Sequence, residues 1–154
     1  MSYSDKARKA LDKRFQEMKP YHTFDRPPKG WLRAVRDALG MTTTQQAKRL
    51  KISQPTLFDY EKREVEGSLT LNTLQRAAQA MGCRLIYAIV PENSLETLVR
   101  RQAEKVAQEM FSKVEHSMSL EKQEISKEDR QRQFEKFVDK VIQESSRIWD
   151  EQYD

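Results

Sequence analysis

Apolar residues recur every three to four positions along most of this chain, a spacing that is typical of amphipathic helices. The first such face lies in residues 4–18 and consists of Ala7, Leu11, Phe15 and Met18. Ser4 is the expected N-cap of this helix, and Pro20 ends it. Residues 20–30 contain three prolines and a glycine, so residues 1–30 are predicted to form an N-terminal helix and a linker.

Four short helices are expected next, over residues 31–39, 44–50, 54–62 and 71–81. Small polar residues precede the last three of them as N-caps, namely Thr43 or Thr44, Ser53 and Thr70. Gly40 and Gly82 follow the first and the last of them as C-terminal caps. Trp31, at the start of the first helix, is expected in the core. Residues 31–82 are therefore predicted to form one small helical domain.

Residues 83–90, with the sequence CRLIYAIV, predict the one strand of the chain, because they are apolar, β-branched and aromatic between Gly82 and Pro91. A lone strand leaves its amides and carbonyls without partners, and no second strand is evident in the sequence. We therefore expect residues 83–91 to pair with the same segment of a second copy. The pairing residues of this dimer strand are Arg84, Leu85, Ile86, Tyr87, Ala88 and Ile89.

Residues 92–154 contain neither glycine nor proline, so long helices are expected in this C-terminal region. Apolar stripes at helical spacing predict one helix over about 94–118 and another over about 127–149. These stripes indicate helix packing. The predicted fold is mainly α, with a lambda-repressor-like domain, one strand that pairs across a dimer, and a C-terminal helical extension.

Charge is unevenly distributed along the chain. Residues 1–91 contain 17 Lys and Arg against 9 Asp and Glu, a net charge of +8, whereas residues 92–154 contain 11 against 15, a net charge of −4. A basic region favours a polyanionic partner such as double-stranded DNA. The acidic C-terminal region is better suited to a protein partner.

Several classes of chemistry find no support in the sequence. Cys83 is the only cysteine, and His22 and His116 lie far apart, so neither a disulfide nor a metal site is predicted. No nucleophile with a base and no phosphate-binding glycine loop is present, so we expect no catalytic residues, no cofactor and no enzyme activity. No apolar run approaches 18 residues, which predicts a cytoplasmic protein without a membrane partner.

Residues 42–64, TTTQQAKRLKISQPTLFDYEKRE, predict two short helices joined by a three-residue turn. The small Ala47 lets the helices approach, Ile52 lies beneath the turn, and Leu57 and Tyr60 face the core. This arrangement leaves an outer face whose candidate base-reading residues are Gln54, Pro55, Thr56 and Asp59. A glutamine amide matches an adenine edge, and a threonine methyl can contact a thymine methyl.

These residues resemble the Cro/C1-type (XRE) helix-turn-helix family over about residues 31–80. The matching features are Q-A-x-x-L, the turn, S-Q-P-T and the following E-K. The resemblance implies that the second helix of the motif enters the major groove and that a two-fold dimer presents two such helices. The family usually has glycine where this chain has Lys51, because that residue adopts a left-handed conformation. Some antitoxins of the family dimerise through a two-stranded lid at the place of residues 83–90.

Further contacts to the DNA backbone are expected around the motif, from Thr43, Thr44, Gln45, Ser53, Lys62, Arg63, Ser68 and Thr70. For Thr43, Thr44 and Gln45, the alternative to a DNA contact is simple helix capping. For the loop after the motif, the alternative is a solvated pair of charged side chains. The family resemblance implies that this loop meets the backbone. Additional basic surface is expected from Arg26, Lys29, Arg33 and Arg36. Glu61 is expected to be a structural partner.

Nearly the whole chain also resembles a small family called mobile mystery protein A. The runs that carry this resemblance are RPPKGWLRAVRDALGM, YEKREVEGSLTLNTLQRAAQAMGCRLIYAIVPENSLE, HSMSLEKQ and the terminal Trp-Asp. That family occurs on mobile elements, often beside a protein with a Fic domain. The resemblance implies a transcriptional repressor or autoregulator of a toxin-antitoxin-like operon with a Fic-domain partner. The alternative is an antitoxin that binds and masks its partner through the C-terminal helices.

Overall fold

The computed structural model describes residues 2–118, 126–144 and 147–150, and the prediction of a mainly helical protein is confirmed. These residues form seven α-helices and no strand. The helices are α1 (Tyr3–Glu17), α2 (Trp31–Ala38), α3 (Thr43–Leu50), α4 (Gln54–Glu66), α5 (Leu71–Gln79), α6 (Leu95–Met118) and α7 (Lys127–Glu144), with a 3₁₀ helix at Tyr21–Phe24. Within the described residues, none of these helices is both long enough and apolar enough to cross a membrane.

The chain divides into two compact units, one of residues 19–89 and one of residues 1–18 together with 90–154. The first unit contains α2 to α5 around a core of Leu32, Ala47, Leu50, Leu57, Ala77 and Met81. The described part of the second unit contains α1, α6 and α7, with a core of Ala103, Val106, Ala107, Val138, Val141 and Ile148. Each unit therefore has its own hydrophobic core.

In the second unit, α6 and α7 run antiparallel. Residue pairs along the two helices demonstrate this, since Arg100 pairs with Asp139 and the ring of Phe111 packs edge-on against Phe134 at 5.8 Å. Helix α1 lies against the start of α6, where the Asp12 carboxylate accepts hydrogen bonds from the amides of Leu95 at 2.7 Å and Glu96 at 3.1 Å. A carboxylate at the N-terminus of a helix accepts hydrogen bonds from amides that have no partner within the helix. Its negative charge also interacts favourably with the positive end of the helix dipole.

The start of α2 is capped by a residue that is distant in sequence. The Glu64 carboxylate of α4 accepts hydrogen bonds from the amides of Trp31 at 2.7 Å and Leu32 at 3.0 Å. Gly30 precedes these amides with φ +86°, and a Cβ there would lie 2.7 Å from the Glu64 carboxylate. Glycine is therefore required at position 30 by both conformation and space.

Arg36 does not contribute to the basic surface, so that expectation was wrong. Its side chain is buried, and its Nε donates to the Glu61 carboxylate at 2.8 Å, which holds the pKa of Arg36 above its ordinary value. Glu61 is buried too, and the expectation that it is a structural partner is confirmed. Arg26 is also engaged, because its guanidinium donates to the backbone carbonyl of Glu64 at 2.7 Å.

The turn between α3 and α4 has the conformation that the family resemblance implies. Lys51 ends α3 in the left-handed region with φ 56° and ψ 42°, and it is the only residue other than glycine with positive φ in the described chain. A side chain in this region costs about 1 kcal/mol relative to glycine. Ile52 packs against the core beneath the turn.

Several helix boundaries differ from the sequence-based expectations. Ser2 rather than Ser4 caps α1, and Thr42 rather than Thr43 or Thr44 caps α3, each through a capping box. Helix α4 continues past Lys62 to Glu66, where Gly67 ends it in a left-handed conformation. Helix α7 ends at Glu144 instead of 149; residues 147–150 form turns, and 145–146 lie outside the described residues.

Residues 83–90 do not form a strand in the single chain. Residues 84–89 make no backbone hydrogen bond with any described residue, so the ladder that defines a strand is absent. The apolar side chains of the segment are not buried either, since Ile86 is 64% exposed, Tyr87 74% and Ile89 90%. The segment is therefore irregular, with its backbone outside any hydrogen-bonded ladder among the described residues and with large apolar side chains in solvent.

An open apolar groove of about 290 Å³ lies beside this segment in the first unit. Its lining combines side chains of α2 and α5 with the beginning of the segment, and consists of Phe24, Trp31, Leu32, Val35, Leu74, Ala78, Met81, Cys83, Arg84, Leu85 and Ile86. Trp31 is 44% exposed because it borders this groove, so the expectation that it lies in the core was wrong.

Candidate nucleic-acid interface

The N-terminal turn of α4 presents the residues that the sequence singles out for base reading. Ser53 caps the helix by accepting the amide of Thr56 at 3.2 Å. Gln54 and Pro55 follow it and are exposed, whereas Leu57, Glu61 and Glu64 turn inward and are buried. The helix thus has one face fixed in the core and an opposite face in solvent.

Gln54 is connected to the preceding helix. Its side-chain amide donates to the Thr43 hydroxyl at 2.7 Å, which joins the first residue of α3 to the first residue of α4. The bond fixes the amide group at the exposed end of α4 and leaves its carbonyl oxygen available. A preorganised amide at this position is suited to base-edge hydrogen bonds.

The other two predicted base-reading residues are engaged within the helix. Thr56 is half-buried, and its hydroxyl lies 2.7 Å from that of Ser53. Asp59 is exposed, and its carboxylate lies 3.7 Å from the Arg63 guanidinium one turn later. Thr56 is therefore partly turned inward, whereas Asp59 is held only by a weak exposed ion pair and remains accessible.

The first turn of α3 combines capping with exposed polar groups. Thr42 accepts the amide of Gln45 at 3.2 Å, and the Gln45 side chain accepts the amide of Thr42 at 2.8 Å. The capping alternative therefore describes Gln45, although the residue remains exposed. Thr44 is exposed on the same turn.

The loop after α4 is held by hydrogen bonds to its own backbone. The Arg63 guanidinium donates to the carbonyl of Ser68 at 3.0 Å, and Thr70 caps α5 by accepting the amide of Thr73 at 3.2 Å. Lys62 is more exposed, and its ammonium lies 3.7 Å from the Glu66 carboxylate. Exposed ion pairs of this kind are weak, so Lys62 is free to exchange its partner for another anion.

One exposed residue of α4 was missed by sequence reasoning. Phe58 is 52% exposed, although its neighbour Leu57 is fully buried. It lies four residues after Gln54 and four before Lys62, so the three side chains share one flank of the helix. The signal was present in the spacing, but a phenylalanine is normally assigned to a core.

The unit that contains this surface is basic. Residues 19–89 include twelve Lys and Arg and six Asp and Glu, a net charge of +6, whereas the remaining residues of the chain have a net charge of −2. The positive charge therefore belongs to the same unit as α3 and α4. Such a distribution attracts a polyanion toward this unit.

Residues 32–87 match a family model described as helix-turn-helix, of the Cro/C1 type. The matched range includes α3 to α5, almost all of α2, and residues 83–87 of the segment that follows α5. No curated protein and no solved structure matches the chain.

Proposed function

We propose that this chain, whose residues 32–87 form a helix-turn-helix domain of the Cro/C1 type, is a sequence-specific transcriptional regulator that binds duplex DNA in the cytoplasm. The observation that carries the proposal is the exposed N-terminal turn of α4, which α3 supports through the bond between Gln54 and Thr43. Recognition helices of this motif enter the major groove with that end. The net charge of +6 on the same unit supplies attraction to phosphates.

Within this proposal the polar residues take two roles. Gln54, Pro55, Thr56 and Asp59 face base edges, and Gln54 is the principal reader because its amide is preorganised. The backbone contacts come from Thr43, Thr44, Gln45, Ser53, Lys62, Arg63, Ser68 and Thr70. Amides at the start of α3 and hydroxyls at the helix caps are suited to phosphate oxygens.

The proposal predicts different consequences for the two roles. Gln54→Ala should lose discrimination at one or two base positions by about 1–3 kcal/mol each, because an amide pair to a base edge is removed. Lys62→Ala should weaken binding to all sequences alike and reduce the slope of log affinity against log salt by about 1, because one phosphate contact is lost. Binding is measured by fluorescence anisotropy on a selected operator and its single-base variants at several salt concentrations.

Gln79→Ala, which removes an exposed glutamine at the end of α5, is the matched control and should change neither quantity. The assignment of roles is contradicted if Lys62→Ala alters base preference and Gln54→Ala does not. Wild-type affinity that is independent of salt and sequence would overturn the proposed function itself.

We propose further that the regulator is a homodimer joined by residues 84–89. Two observations support a second copy as the partner. The backbone of this segment forms no hydrogen bond with the backbone of any described residue, and Ile86, Tyr87 and Ile89 are exposed, with Ile86 lining an apolar groove. A two-fold pairing of the segments would satisfy the amides and bring the apolar side chains against the partner. It would also present two α4 helices to one operator.

The resemblance to the mobile mystery protein A family supports a finer proposal, in which the chain represses its own operon and binds a Fic-domain partner encoded beside it. The helices α1, α6 and α7 form a compact unit outside the helix-turn-helix domain, which favours them as the surface for that partner. The purified chain and the neighbouring Fic-domain protein should coelute from a sizing column. Separate elution at micromolar concentration would contradict this partnership and leave DNA binding unaffected.

A further inference from the structure

Phe58 is an apolar residue in an otherwise polar surface. Its ring is 52% exposed near the middle of α4, among the exposed residues Gln54, Pro55, Asp59 and Lys62. An aromatic side chain gains about 2 kcal/mol from complete burial, so half-exposure forgoes a substantial part of that stabilisation. The exposed part of the ring is therefore available to a partner at this surface.

The position of the ring relative to Gln54 relates it to the proposed operator. Residues four apart lie on one flank of a helix and are separated by about 6 Å along its axis. That separation is close to two base-pair steps of about 3.4 Å. When Gln54 is at a base edge in the major groove, Phe58 is within about two base pairs of it.

The chemistry of the groove restricts what a phenyl ring can read. The ring has neither donor nor acceptor, so it cannot bond to a phosphate or to the polar edge of a base. The 5-methyl group of thymine is the apolar feature that the major groove presents, and phenylalanine is suited to contact it. Thr56, the residue predicted to contact a thymine methyl, is half-buried with its hydroxyl beside Ser53, whereas Phe58 is free to do so.

We propose that Phe58 determines specificity by contacting the methyl group of a thymine within about two base pairs of the base that Gln54 reads. This inference rests on the proposed DNA-binding function and adds a residue that reads by apolar contact. Phe58 and Gln54 would together select an adenine and a thymine at adjacent or nearly adjacent positions of each half-site.

Deoxyuridine tests the contact directly, because it removes the methyl group without changing the base pair. A duplex selected from a random pool by the wild-type chain is resynthesised with each thymine replaced singly by deoxyuridine. One thymine per half-site should show a loss of about fourfold or more with the wild type, the size expected for one buried methyl group. The same replacement should change binding by Phe58→Ala less than twofold, and Phe58→Leu should give an intermediate loss.

Leu39→Ala is the matched control, since Leu39 is 53% exposed but lies at the end of α2. It should retain the full deoxyuridine effect, and circular dichroism melting should show that all variants are folded. The inference is overturned if no thymine is sensitive with the wild type, or if Phe58→Ala keeps the sensitivity. Absence of any sequence-specific duplex binding by the wild type would instead overturn the proposed function, and this inference with it.

Discussion

Replacement of Ile86 or Tyr87 by proline is expected to convert the protein into a monomer and to reduce operator binding to the non-specific level. Proline lacks the amide donor of a ladder and is poorly accommodated between paired strands. In the single chain, residues 84–89 have no hydrogen bond to the backbone of any described residue, so the substitution should leave the helix-turn-helix unit folded. The expected effect is therefore specific to the assembly.

The effect on DNA binding should be large because one helix-turn-helix makes few base contacts. Two recognition helices one DNA turn apart contribute together, and specific sites are typically bound about 10³-fold or more tightly than non-specific DNA. A monomeric variant should lose most of this difference and retain the salt-dependent attraction to any duplex. Sedimentation analysis gives the mass, and anisotropy against operator and random duplexes gives the two affinities.

Ile86→Ala is the control for side-chain burial, because it removes apolar surface and keeps the amide. It should weaken the dimer less than Ile86→Pro does. A proline variant that remains dimeric at micromolar concentration, or a wild type that is monomeric there, would eliminate pairing through residues 84–89. The helices of the other unit would then be the next interface to test.

The elements that the sequence predicts well are those whose signals are local. Helical spacing and capping residues establish α2 to α5, and the offset from the Q-A-x-x-L pattern establishes the turn at Lys51, whose left-handed φ confirms the family resemblance. Boundaries are less certain because neighbouring small polar residues compete for one cap. Thr42 and Thr43 each have a glutamine three residues later, but Gln46 is buried, whereas Gln45 is exposed and completes a capping box with Thr42.

Other features depend on residues that are distant in sequence. The charge pattern alone suggests that Arg36 is on the surface, since Glu61 lies 25 residues further along the chain. The segment 83–90 has the composition of a strand, but pairing requires a second strand, and the described residues of the single chain provide none. Gln46 belongs to the helix-turn-helix pattern, yet it is fully buried, and neither polar atom of its side chain has a hydrogen-bond partner among the described residues.

The candidate interface remains a prediction, and the structure adds details that the sequence does not contain. The sequence selects Gln54 and Lys62 from their chemistry and their places in the motif, and both are exposed. It does not reveal that Thr56 is turned partly inward or that the Gln54 amide is held by Thr43, because both depend on how α3 packs against α4. The exposure of Phe58 was not predicted, because hydropathy is a guide to burial only on average.

The largest expected effect on stability concerns the buried pair of Arg36 and Glu61. The two side chains are 7% and 6% exposed, with a short contact of 2.8 Å and a longer one of 3.4 Å. Removal of one partner from a buried pair leaves an uncompensated charge and typically costs about 3–5 kcal/mol. Glu61→Leu and Arg36→Met should each lower the free energy of unfolding by about that amount, which is a large part of the 5–15 kcal/mol that is usual for a domain.

A comparison with an exposed arginine separates the buried pair from ordinary surface contacts. Arg33→Met removes an exposed arginine whose contact with Asp37 measures 3.7 Å, and it should cost about 1 kcal/mol or less.

The double variant Arg36→Met/Glu61→Leu tests whether the pair stabilises the fold or serves the DNA-binding surface. Replacing both partners by apolar residues of similar size is often neutral or stabilising, because two desolvation costs disappear together. Chemical denaturation should show that the double variant recovers most of the free energy of unfolding that each single variant loses. Its operator affinity should equal that of the wild type at a temperature where both proteins are folded. A double variant that is fully stable but binds operator weakly would contradict a purely structural role for the pair. That result would indicate that Arg36 contributes to DNA binding.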